Sequence, residues 1–103
     1  MRRGSTPTNT FLVDIDLRGA TVYVSYEQRR RVIFEKTGDE LTIEADKIIV
    51  ELSQEDTLAL SVGEVCIQIR YVLPNGSADA SNIMTTTANR IIKDGVIQYE
   101  LQG

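Results

Sequence analysis

The sequence predicts an all-β fold: a sandwich of two mostly antiparallel sheets, about seven short strands in all, with one short helical turn near residues 54–59. Three observations carry this expectation. Hydrophobic residues alternate with polar ones at a period of two over most of residues 10–73. Turn-forming residues separate the alternating runs at short, regular intervals. The 103 residues are 42% hydrophobic and 25% charged, an ordinary globular balance that supplies one core and one domain.

The elements follow in order. The first nine residues, MRRGSTPTN, are expected to be a mobile lead, so that the domain spans residues 10–103. Phe11, Val13 and Ile15 alternate with Leu12 and Asp14 in a first strand, and DLRGA turns the chain. Ala20, Val22, Val24 and Tyr26 share one face of a second strand. A third, RVIFEK, places Val32 and Phe34 on one face and Ile33 on the other. TGDE makes a turn, with Gly38 giving it backbone freedom. Leu41 and Ile43, then Ile48, Val50 and Leu52, mark two more strands. Ser53 followed by Gln54, Glu55 and Asp56 reads as a capped helical turn, because acids in a first turn complement the helix dipole. Val65, Ile67, Ile69, Tyr71 and Leu73 form the inner face of a long strand. Asn75-Gly76 then predicts a type I′ hairpin turn. The return, ADASNIMTTTA, is polar and suits a sheet edge, and Asp94-Gly95 predicts a last hairpin or tail at about 90–103. The expected core is Val22, Val24, Phe34, Leu41, Ile43, Ile48, Val50, Leu58, Leu60, Val65, Ile67, Ile69 and Tyr71.

Composition narrows the function. The chain has no histidine, which removes the usual neutral-pH base and the commonest metal ligand. Its one cysteine, Cys66, forms no internal disulfide and has no imidazole to activate it, so it reads as packing. DID at 14–16 and TGDE at 37–40 fall short of a calcium loop. No enzyme activity, cofactor or metal is therefore expected. No apolar run approaches the roughly 18 residues of a membrane span, and the two N-terminal arginines precede no apolar stretch, so neither membrane nor signal peptide is expected.

Charge is unevenly placed. Residues 1–36 carry seven Lys/Arg against four Asp/Glu, and residues 37–103 carry four against eleven, for a net −4. An acidic chain with a single basic run, Arg29, Arg30 and Arg31, lacks the footprint of a nucleic-acid binder. That run reads as a solvated hairpin end or a protein-docking patch. Leu12, Tyr23, Ile33, Ile49, Cys66 and Val72 all fall on nominally outer strand faces, and Ile97, Tyr99 and Leu101 alternate in the last segment. Such residues mark an interface, or a surface covered by the C-terminal hairpin. An interface of Arg29, Arg30, Arg31, Tyr23, Ile33, Ile49, Ile97, Tyr99 and Leu101 in a homo-oligomer is the expectation.

Four segments, TPTNTFLVDIDL, VYVSYEQRRRVIFEK, IIVELSQEDTLAL and VCIQIRYVLPNGSADASNI, carry a family resemblance over about residues 6–93. The chain resembles small proteins of phages and prophages of Gram-positive bacteria, and is similar to the immunoglobulin-like sandwich at the N-termini of phage baseplate upper proteins. The resemblance implies an immunoglobulin-like antiparallel β-sandwich and a structural role in a virion, with other phage structural proteins as partners. It implies synthesis in the bacterial host cytoplasm and brings no catalytic residues. The sequence stops at Gly103, without the receptor-binding or oligomerising extension of the longer baseplate proteins, so direct host binding is not expected. A carbohydrate- or cell-surface-binding module is the alternative, although the chain has no Trp and only four Tyr to build a sugar platform.

Overall fold

The structure, a computed structural model, describes residues 1–99. Among the described residues, eight strands form two antiparallel sheets: β1 (Thr8–Leu12), β2 (Thr21–Gln28), β3 (Arg31–Thr37), β4 (Leu41–Ile43), β5 (Lys47–Glu51), β6 (Gly63–Val72), β7 (Ala78–Ala80) and β8 (Met84–Ala88). One sheet has the order β1-β5-β4. The other has the order β3-β2-β6-β7, with β8 also on β6. The all-β sandwich expected from the alternation is the fold observed.

The alternation works as read in the two central strands. Val22, Val24 and Tyr26 of β2 and Val65, Ile67 and Ile69 of β6 are buried, and they face Leu41, Ile48 and Val50 of the smaller sheet. Leu52, Leu60 and Ala88 complete the core, together with Leu17, an apolar anchor inside a segment read only as a turn. Phe34, Ile43 and Tyr71, expected within the core, are half-buried at its margin. Tyr26 stacks on Phe34 at 4.5 Å and its hydroxyl accepts from Asn9 Nδ2 at 2.6 Å, tying the two sheets together through β1.

The helical turn is α1 (Gln54–Leu58). Ser53 Oγ accepts from Asp56 N–H at 3.1 Å, and Asp56 Oδ2 accepts from Ser53 N–H at 2.9 Å, so each satisfies an otherwise orphaned backbone donor. Lys36 Nζ of β3 reaches the same Oδ2 at 2.8 Å, and this contact holds α1 against the edge of the five-stranded sheet. Burial alone would raise the Asp56 carboxyl. The Lys36 hydrogen bond and the Ser53 donors outweigh it, and the group is held below its ordinary 3.8. Burial likewise works to lower Lys36, but Asp56 and Glu40 win and raise it.

Four expectations are corrected. Asn75-Gly76 lies in the turn between β6 and β7, but only Gly76 of the pair has positive φ. Gly76 N–H donates to Leu73 O at 2.9 Å, so the turn is centred on Pro74-Asn75. Proline's fixed φ suits the first central position and shifts the turn one residue earlier than a type I′ turn would place it. In β3, Tyr26 pairs with Phe34 but Glu27 pairs with Val32, which makes Ile33 a bulged extra residue. The bulge reverses the parity, so Val32 faces outward and Ile33 packs against the core margin. The N-terminal lead is bound rather than free: Arg2 bridges Asn89 in parallel, and Arg3 donates to Leu60 O at 2.6 Å and Leu58 O at 2.9 Å, capping the end of α1. Finally, of the hairpin or tail expected at about 90–103, residues 91–99 form no hairpin at Asp94-Gly95. The Gln54 side chain instead brackets Ile97, donating to its oxygen and accepting from its N–H, both at 2.8 Å, as a neighbouring strand would.

Candidate functional site

The expected interface residues occupy four places. Arg29 and Arg30 are the two central residues of the β2–β3 turn, and Arg31 begins β3 beside them. Both central residues have positive φ, 52° and 63°, the requirement of a type I′ turn. That conformation is natural to Asn-Gly and costs L-residues such as arginine roughly 1–2 kcal/mol each. The base of the hairpin holds it in place. Gln28 is buried, its Nε2 donates to Ser61 O at 2.7 Å, and its Oε1 accepts from Ser61 N–H at 2.8 Å. The three guanidinium groups are exposed and, among the described residues, have no carboxylate partner. Ile33 shares a shallow concavity with Arg29 and Arg31, so this one expected apolar residue does join the basic run.

Tyr23 lies elsewhere, on the outer face of the five-stranded sheet. Its cross-strand neighbours are Thr37 and Arg70, and it lines a concavity of about 280 Å³ with Ser25, Glu35 and Arg70. Cys66 is on the same face. Its partial burial and the carboxylates of Glu64 and Glu27 push the thiol up, away from a reactive thiolate. Ile49 is half-buried on the outer face of the other sheet, between Thr10 and Thr42. Ile97 is pinned beside α1, Tyr99 is 88% exposed, and Leu101 lies outside the described residues. The expected single interface is therefore at least three separate surfaces.

Sequence reading missed one surface of some size. The loop after β1 and the β7–β8 link enclose a concavity of about 440 Å³, lined by Leu12, Asp14, Ile15, Tyr71 and Asn82 among others. Leu12 is 82% exposed and Ile15 is also exposed. Asp46 O accepts from Val13 N–H at 2.9 Å, which brings the 44–46 turn and its carboxylates beside this loop. Asp16 is ion-paired with Arg18 at 2.7 Å, and the Arg18 side chain and backbone N–H pull its carboxyl down to about 2. The signal was present in the sequence: Leu12 was already out of phase with its strand, and the acids of DID flank Ile15.

A basic hairpin tip and an apolar hollow with Asp14 in its lining thus lie on one small sandwich. No protein-family model matches the chain, and no curated protein and no solved structure matches it significantly.

Proposed function

We propose that this chain is a non-enzymatic structural or assembly module of a phage or prophage particle, of virion or baseplate type, working through protein–protein contacts with other phage structural proteins and with copies of itself. The observation that carries the reading is the hairpin tip, where Arg29 and Arg30 stand in a strained turn that solvent alone would not favour, with Arg31 beside them and, among the described residues, no carboxylate partner for any of the three. The four segments that resemble phage structural proteins support it, as do the absence of histidine and the upward shift of the Cys66 thiol. The chain then resides in the virion after synthesis in the host cytoplasm. Inducing the strain that encodes it, purifying the particles and measuring their proteins by mass spectrometry is the test. The chain is expected in fixed ratio to the tail or capsid proteins, and its absence from intact particles would sink the proposal.

A carbohydrate- or cell-surface-binding module is the second reading. It is favoured by Tyr23 lying half-open beside Ser25, Glu35 and Arg70, an aromatic with polar groups around it. Binding to purified cell-wall polysaccharide that Tyr23→Ala abolishes would put this reading first.

A further inference from the structure

We propose that the Arg29–Arg31 hairpin tip of one molecule docks into the hollow lined by Asp14, Leu12 and Ile15 of a second copy, so that copies associate head to tail. This rests on the reading of the chain as an assembly module and names the two surfaces it would use. The topology puts them at opposite ends of the molecule. β2 ends at Gln28, beneath the tip, and begins at Thr21, where the loop carrying Asp14 and Ile15 feeds it. Eight strand residues separate the two ends, a span of about 26 Å. A tip at one end and a hollow at the other cannot meet within one chain, but they can meet between two.

The chemistry of the two surfaces is complementary. The tip offers three guanidinium groups with no carboxylate partner among the described residues, and beside them Val32, which the bulge at Ile33 turns outward to 54% exposure. The hollow offers apolar walls in Leu12 and Ile15 and the Asp14 carboxylate in its lining, and the Asp46 backbone is hydrogen-bonded to Val13 next to it. Both of those acids are exposed and neither has an ion-pair partner among the described residues. A narrow two-residue turn enters a concave site more readily than a flat sheet face does. Arginine forks bind carboxylates bidentately, so the contact has a preferred orientation. The turn also explains its own composition: Asn-Gly would fold without strain, but it would bring no charge to the partner. Because the two surfaces differ, the contact is heterologous, and it either closes a ring or runs on as a filament.

The test uses the whole chain in sedimentation velocity at high micromolar concentration, at low and high salt. Wild type is expected to associate at low salt and to dissociate as salt screens the contact. Arg29→Asn with Arg30→Gly keeps the turn and relieves its strain. This double variant should melt at a higher temperature than wild type yet associate at least about tenfold more weakly. Asp14→Lys should weaken association to a similar extent without changing the melting temperature, and so should Arg30→Glu. Mixing the Asp14→Lys and Arg30→Glu chains should restore association, since each then presents the charge the other needs. A wild type that stays monomeric at low salt overturns the proposal, as does association unaffected by the Arg29→Asn/Arg30→Gly change or a mixture that fails to recover. A monomer whose tip binds a short oligonucleotide, with binding lost in the same double variant, would assign the tip to nucleic acid instead. Failure here with the chain still present in purified particles would leave the assembly role standing without this contact.

Discussion

Neutralising Asp56 measures how firmly the short helix is fastened to the five-stranded sheet. The Lys36–Asp56 contact is 2.8 Å long, with side chains only 14% and 16% exposed. An exposed ion pair contributes roughly 0.2–1 kcal/mol, whereas stranding one partner of a fully buried pair costs about 3–5 kcal/mol. This pair falls between the two, because it is shielded but Lys36 keeps Glu40 at 3.4 Å as a second anion. A coupling energy of about 1–2 kcal/mol is expected. Asp56→Asn retains an oxygen for the Ser53 N–H, so it should lose about 2 kcal/mol, and Asp56→Ala, which also removes the cap, about 1 kcal/mol more. The assay is urea unfolding followed by circular dichroism, with Lys36→Met and the double variant completing a cycle. The pH dependence has a definite sign. The folded-state carboxyl is held below 3.8, so its contribution is complete above that value and is lost as pH falls through the depressed one. Lys36, raised above 10.5, keeps its contribution below that value and loses it on the alkaline side. The stability gap between wild type and Asp56→Asn should therefore hold at neutral pH and narrow in acid below about pH 4. A coupling under about 0.5 kcal/mol, or a gap that does not change in acid, would refute the claim that the pair is shielded and fastens α1.

Ile67→Ala, at a side chain 5% exposed between the sheets, should cost about 2–5 kcal/mol in the same unfolding assay. A loss under about 0.5 kcal/mol would mean that β6 faces the other way. Thr57 is fully buried and its hydroxyl donates to Ser5 O at 2.8 Å. Thr57→Val keeps the volume and loses that bond, so it should cost about 1–2 kcal/mol and speed proteolytic removal of the first residues. The Asp16 carboxyl should titrate near 2 by NMR, moving back to the ordinary range in Arg18→Ala, because the Arg18 side-chain bond is its main cause.

The sandwich was legible because β2 and β6 each bury one face against the core and leave the other open, which writes a period of two directly into the residues. The helical turn was legible for a local reason: Ser53 and Asp56 make the cap by themselves. Features that depend on a neighbouring chain segment were not legible. A single bulged residue, Ile33, reverses the facing of Val32, and nothing in RVIFEK announces it. The capture of the N-terminal lead depends on the carbonyls of Leu58 and Leu60, more than 50 positions away. Residues 91–99 form no hairpin at Asp94-Gly95, and it is the Gln54 side chain that makes with Ile97 the two hydrogen bonds a second strand would have made. As for the candidate site, the basic run was visible as a charge cluster at a hairpin end. The type I′ geometry forced on it was not, since arginine carries no preference for that turn. The hollow that faces the other way is assembled from loops, and loops leave little periodic signal.

The pairing of β2 also bears on how the chain is made. One of its partners, β3, follows after two residues, while the other, β6, pairs through registers such as Thr21 with Val72. During synthesis the β2–β3 hairpin emerges from the ribosome first, and one edge of β2 waits for β6. At ordinary rates of elongation that wait lasts a few seconds, with Val22, Val24 and Tyr26 uncovered. Nascent chains on one messenger would meet in this state, edge against edge. The guanidinium groups at the hairpin's end then act as gatekeepers, since crowded like charges keep two such ribbons from lying in register. The same arginines that would join finished molecules would thereby keep unfinished ones apart.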